Sequence, residues 1–254
     1  MSPSAVRTMR SSSFTGLSAI LPNWALEGTP EERRKRLLLP DVRRKVREEL
    51  DATHPDGKYL DRVMIAQTFS EDTHQYEGLI VSEAARRENR DAMEFLLDLL
   101  AREESEPTAI YHSMNEENMY RILKYPQTVI GSDSASRAPG PPLGLGKPHP
   151  RAYGCFPRFL QMVREKKFIS IEEAIKKMTG ETAKIAGLDK RGLLKPGYFA
   201  DVVVFDQDKI TDQATYEDPH RFATGISCVI VNGKVAVRDD EVTGERNGRI
   251  LKRL

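Results

Sequence analysis

The sequence predicts an α/β fold followed by a smaller β unit. Three observations carry this: helix and strand patterns alternate over residues 108–130, a continuous apolar run follows at 202–205, and the dipeptide Asn232-Gly233 separates two further apolar runs. A strand, a helix and a second strand in series form a βαβ unit, which requires a parallel sheet. Asn-Gly between apolar runs is the strongest short hairpin signal.

Residues 1 to 28 read as irregular and end near the sole tryptophan, Trp24. Thr29-Pro30-Glu31-Glu32 supplies a helix cap, a proline at the first helical position and a glutamate at the capping-box position. A second helix follows Pro40-Asp41, with Val42, Val46 and Leu50 on one stripe. Residues 63–66 form a short strand. Residues 91–101 form a helix too apolar for a free surface, with Met93, Phe95, Leu96, Leu97, Leu99 and Leu100, and it is expected to pack on a sheet.

The βαβ unit comprises a strand at 108–111, a helix at 116–123 and a strand at 128–130. Residues 134–150 hold five prolines (139, 141, 142, 148, 150) and glycines 140, 144 and 146, so they form either an ordered excursion or a lid. Helices resume at 156–166 and at 171–178, the second capped by Ser170 with Glu173 at the box position. After Gly187 the periodicity becomes β.

Composition excludes several function classes. Lys plus Arg (39) nearly balances Asp plus Glu (38), so no long-range field steers the protein to nucleic acid or to an anionic membrane. The two cysteines, Cys155 and Cys228, lie outside any C-x-x-C spacing and give neither a disulfide framework nor a zinc knuckle. No apolar stretch approaches the length of a membrane span or a signal-peptide core, and the expected compartment is the cytoplasm.

The most informative motif is Gly131-Ser132-Asp133, which closes the apolar run Thr128-Val129-Ile130 and puts a carboxylate at a strand end. Together with Pro148-His149-Pro150-Arg151-Ala152-Tyr153-Gly154-Cys155, Arg191-Gly192, Ala200-Asp201-Val202-Val203-Val204-Phe205-Asp206, Val231-Asn232-Gly233 and Thr243-Gly244, it resembles the D-aminoacylase (N-acyl-D-amino-acid deacylase) branch of the amidohydrolase superfamily. Thr15-Gly16-Leu17 and Leu21-Pro22-Asn23-Trp24 are similar to that family too, in the same collinear order.

The resemblance implies the C-terminal portion of a metal-dependent hydrolase (β/α)8 barrel plus a small, composite, sandwich-like C-terminal β domain. Residues 1–187 would be the partial barrel, with a family insertion at about 20–105, and residues 188–254 the β domain. It implies zinc as the cofactor and an N-acyl-D-amino acid as the substrate. Asp133 matches the family's last-strand aspartate, whose implied role is to take a proton from metal-bound water and pass it to the leaving nitrogen.

The five histidines, His54, His74, His112, His149 and His220, are scattered singly, with no His-x-His pair. A zinc hydrolase needs about three protein ligands and an open position, so no metal ligand is expected in this chain except, at most, Asp133. A complete barrel needs eight βα units and roughly 200 residues of its own, and only two barrel strands are readable. The expectation is therefore a C-terminal part, with an N-terminal barrel half on a separate chain, truncated or lost.

Each candidate has two readings. Asp133 is either the catalytic carboxylate or a strand-end turn cap. Arg121 could fork onto a substrate carboxylate or lie on a helix surface. His112, at a strand end, faces a site or pairs locally. His149 and Arg151 overhang a pocket mouth, or Arg151 salt-bridges the loop. Ser132 reads as structural, Tyr153, Phe156 and Phe159 as packing, and Cys155 as no nucleophile, for want of a base.

The leading function is hydrolysis of a linear amide, N-acyl-D-amino-acid deacylation, by a chain not active alone. The alternatives are a non-catalytic remnant or interaction module, and a cyclic-amide hydrolase of the same superfamily.

Overall fold

A computed structural model describes residues 5–6 and 12–251. Its described residues form two compact units, one within residues 10–114 and 140–149, the other within residues 1–9, 115–139 and 150–254. Strand β1 (Ala5–Val6) belongs to the second.

The 10–114 unit contains β2 (Ser12–Gly16), α1 (Pro30–Leu37), α2 (Pro40–Thr53), β3 (Val63–Gln67), α3 (Val81–Arg87), α4 (Ala92–Arg102) and β4 (Thr108–Tyr111). The α1 start forms as its sequence dictates: the Glu32 N–H donates to Thr29 Oγ1 at 3.3 Å, and Glu32 Oε2 accepts the Thr29 N–H at 2.7 Å. On α2 the stripe turns inward, with Val46 and Leu50 buried and Val42 packed against them. Asp91 caps α4 by accepting the N–H groups of Met93 and Glu94 at 3.0 Å each.

Helix α4 packs among α1, α2 and α3. Its apolar residues share one core with the strand residues Val63, Ile65 and Ala109. Arg43 and Arg47 of α2 reach across to Glu94 (2.8 Å) and Asp91 (2.5 Å) on the α4 side.

The sheet of this unit has the order β2-β4-β3, with both pairings antiparallel. Part of the Pro/Gly-rich stretch is anchored along β3. The Lys147 N–H donates to Ala66 O at 2.6 Å, and Gly146 (φ +71°) lies so close to Gln67 that an added Cβ would sit 2.8 Å from its side chain.

The 115–254 unit adds α5 (Glu116–Lys124), β5 (Val129–Ile130), α6 (Arg151–Lys166), α7 (Ile171–Met178), α8 (Gly180–Ala186), β6 (Val202–Phe205), β7 (Ile226–Val231), β8 (Lys234–Arg238) and β9 (Glu241–Val242). Strands β6 to β9 form an antiparallel sheet in sequence order, as the hairpin signal requires. Asn232 (φ +49°) and Gly233 (φ +81°) both take the left-handed region that a type I′ turn needs. The buried face of α5 (Met119, Leu123) shares a second core with Ile130, Phe159, Leu160, Val163 and Ala174.

Two expectations are corrected. Residues 12–16, read as part of an irregular stretch, form strand β2, antiparallel to β4. Strands β4 and β5 do not pair in parallel as a βαβ unit: β4 lies antiparallel between β2 and β3, while β5 pairs in parallel with β1, Ala5 opposite Val129. Local pattern specifies that a segment is extended; which strand completes its hydrogen bonds depends on residues remote in sequence.

Candidate functional site

The expected strand end exists, and Asp133 stands just beyond β5. Its φ of +48° is unusual for a residue with a Cβ. Helix α6 explains how this conformation is held. Arg151, the first residue of α6, is only 3% exposed, and its guanidinium lies 3.1 Å from Asp133 Oδ2. The same nitrogen donates to the Asp133 main-chain oxygen. One helical turn later the Cys155 thiol, also buried, donates to Gly131 O at 3.7 Å.

Residues i and i+4 of a helix share a face, so this face of α6 grips the 131–133 loop twice. The Asp133 side chain remains 57% exposed while the guanidinium behind it is buried. The arrangement presents a carboxylate outward from a rigid seat.

The other end of β5 is held by α7. Lys177, 1% exposed, donates through Nζ to Tyr125 O (2.7 Å), Thr128 O (2.9 Å) and Pro126 O (3.4 Å). These carbonyls lie at the C-terminal end of α5 and in the turn into β5, where a cation is favourable. Burial pushes the Lys177 ammonium below its ordinary value, and Glu173, 3.8 Å away, opposes that shift.

A third cluster lies where α6 meets residues 212–222. Asp212 sits against Gly154 and accepts the Ala214 N–H at 3.0 Å. Burial pushes its carboxyl above the ordinary 3.8, against the pull of the Ala214 N–H and Arg158. Tyr153 Oη lies 3.0 Å from His220 Nδ1, with the two rings edge to face at 5.5 Å.

The sequence-derived candidates thus separate. Asp133 and Arg151 meet. Arg121 is exposed on α5, away from the Met119 and Leu123 face. His112 and His149 belong to the 10–114 unit, His112 half-buried with its main-chain N–H donated to Arg62 O at 2.7 Å, and His149 buried at 1% exposure. Sequence reasoning missed the roles of Lys177, Cys155 and Asp212. Only the Arg151/Cys155 spacing carried a signal, and that becomes legible once α6 is known to begin at Arg151.

Residues 121–237 match the amidohydrolase family. This amidohydrolase segment contains Asp133, Arg151, Lys177 and the sheet through β8. The chain is 45% identical over 145 residues to an N-acyl-D-aspartate deacylase of Alcaligenes xylosoxydans xylosoxydans, covering 56% of this chain and 28% of that protein. Among solved structures it is similar to a D-aminoacylase (TM-score 0.65, 36% identity, 77% of this chain and 39% of that one). It is also similar to the N-acyl-D-glutamate deacylase of Bordetella bronchiseptica, solved with zinc and a phosphonate inhibitor (TM-score 0.60, 29% identity, 76% of this chain and 43% of that one). The chain therefore spans less than half the length of each of these proteins.

Zinc, implied by that likeness, does not fit the residues of this amidohydrolase segment. Among the described residues no group of three or more His, Cys, Asp or Glu could hold a metal ion. Residues 1–4, 7–11 and 252–254 contain none of these types. The Asp133 carboxylate is met by a guanidinium, itself a cation. Also among the described residues, no helix is long and apolar enough to cross a membrane.

Proposed function

We propose that this chain supplies the aspartate-bearing, C-terminal portion of a cytoplasmic enzyme that hydrolyses the linear amide of N-acyl-D-amino acids. In this reading residues 1–187 are barrel with an insertion at about 20–105, residues 188–254 are the small β domain, and the metal-binding histidines come from polypeptide outside these 254 residues. The observation that carries it is Asp133 held at a strand end within a segment 45% identical to a deacylase.

Asp133 is the group that moves a proton to the leaving nitrogen. Arg121, exposed on its helix, and half-buried His112 are the candidates for the substrate carboxylate. Arg151 and His149 are too buried for that task as they stand.

The test is deacylation of N-acetyl-D-amino acids, followed as released amine. The chain alone is expected to be inactive. Mixed with a separately expressed deacylase segment carrying the His-x-His pair, and supplied with zinc, it is expected to turn over, and the Asp133→Asn variant to abolish that turnover. An inactive mixture whose components demonstrably associate defeats the reading.

A second reading, a non-catalytic interaction module, is favoured by the missing metal donors. Association with the partner segment, without turnover and unaffected by Asp133→Asn, is its signature.

A further inference from the structure

We propose that Arg151 is the positioning residue for Asp133 rather than a ligand for substrate, with Cys155 as its second anchor on the same face of α6. This rests on the deacylase reading for its catalytic consequence, but the positioning itself is a property of this chain.

Asp133 takes φ +48°, a left-handed conformation that aspartate enters more readily than most residues and that contacts can fix in place. Here the surroundings are specific. One guanidinium nitrogen serves both the main-chain oxygen of Asp133 and its carboxylate, so the same donor bears on backbone conformation and side-chain direction. Cys155 holds Gly131, at the start of the same loop, through its thiol. The donor is buried and the acceptor is largely exposed (3% against 57%).

That asymmetry decides the role. A substrate-binding arginine must offer its fork to solvent, whereas this one is buried and gives one nitrogen to the protein's own loop. The planar, always-charged guanidinium suits the task, because a lysine at this place would supply a point charge without the fixed geometry.

The experiment uses the full chain labelled with ¹³C at the aspartate carboxyl carbons, the Asp133 signal being assigned by its loss in Asp133→Asn. In Arg151→Gln the Asp133 signal is expected to move while amide signals of the 10–114 unit stay in place; Arg151→Lys is expected to give a smaller displacement. In the complemented enzyme, kcat is expected to fall about a hundredfold, the scale of a misplaced catalytic group, with KM within about twofold and partial recovery in Arg151→Lys.

An unmoved Asp133 signal in a folded Arg151→Gln chain overturns the proposal. So does a raised KM with unchanged kcat, which would make Arg151 a substrate ligand. If Arg151→Gln fails to fold, the Arg151→Lys signal decides. If wild-type complementation yields no turnover, the deacylase reading falls while the carboxyl signal still decides the positioning.

Discussion

The Oδ1 atom of Asp212 occupies the space in which a side chain at position 154 would begin: a Cβ built on Gly154 would lie 1.7 Å from it. Gly154 is helical, so this glycine is required for close approach rather than for a special backbone angle. Replacing it with alanine should force Asp212 and residues 212–214 away from α6. Overpacking of this kind costs about 1–3 kcal/mol. Urea denaturation should show the loss for Gly154→Ala, and the double variant with Asp212→Gly should recover part of it.

Asp212 should also impose a pH dependence. Its folded-state carboxyl titrates above the ordinary 3.8 because it is buried. The folded state then holds a proton that the unfolded chain has released, and the stability that Asp212 contributes declines as pH rises from 3.8 through that raised value. Asp212→Asn keeps an acceptor for the Ala214 N–H and has nothing to titrate. Its urea midpoint should be flatter across this window and higher than wild type on the alkaline side.

Tyr59 provides a second titration at the opposite end of the scale. Its hydroxyl donates to Asp51 Oδ1 at 3.0 Å, and burial, reinforced by that carboxylate, pushes the phenol up from 10.0 to about 12. The stability linked to this proton is complete below pH 10.0 and is lost as pH rises through about 12. Phenolate absorbance should lose one late-titrating tyrosine in Tyr59→Phe, while Tyr111, whose deeper burial pushes its phenol up further, still titrates late. That variant should also lose stability less steeply over this range.

Lys177→Met should be among the most damaging single changes in the 115–254 unit. The buried ammonium serves Tyr125, Pro126 and Thr128 carbonyls around the turn into β5. Methionine fills similar volume but donates nothing, and buried acceptors left without a donor cost on the order of 3 kcal/mol together. Thermal unfolding checks this, and hydrogen exchange should localise the loosening to residues 125–133.

Much of the local structure was legible. Thr29 with Glu32, Ser170 with Glu173, and Asn232-Gly233 each form the cap or turn their chemistry demands, because all the interacting groups lie within one turn of chain. Helix α6 begins at Arg151 rather than near Phe156, since Pro157 is accommodated inside it. Helices α3 and α8 carried no distinct signal, being short and sealed by tertiary packing of Ala84, Ala85 and Ala183.

By itself the sequence determined the type of the longer helices and of strands β3 to β8, the caps, the hairpin, the absence of a His-x-His pair and the likeness to deacylases. Only the tertiary structure decided that β4 joins β2 and β3 while β5 joins β1, that Arg151 faces Asp133, and that Asp212 fills the space beside Gly154. The physical reason is range. Caps and turns are satisfied within a few residues, whereas strand partners, buried ion pairs and close approaches are selected among groups distant in the chain, by which burial leaves no polar group unsatisfied.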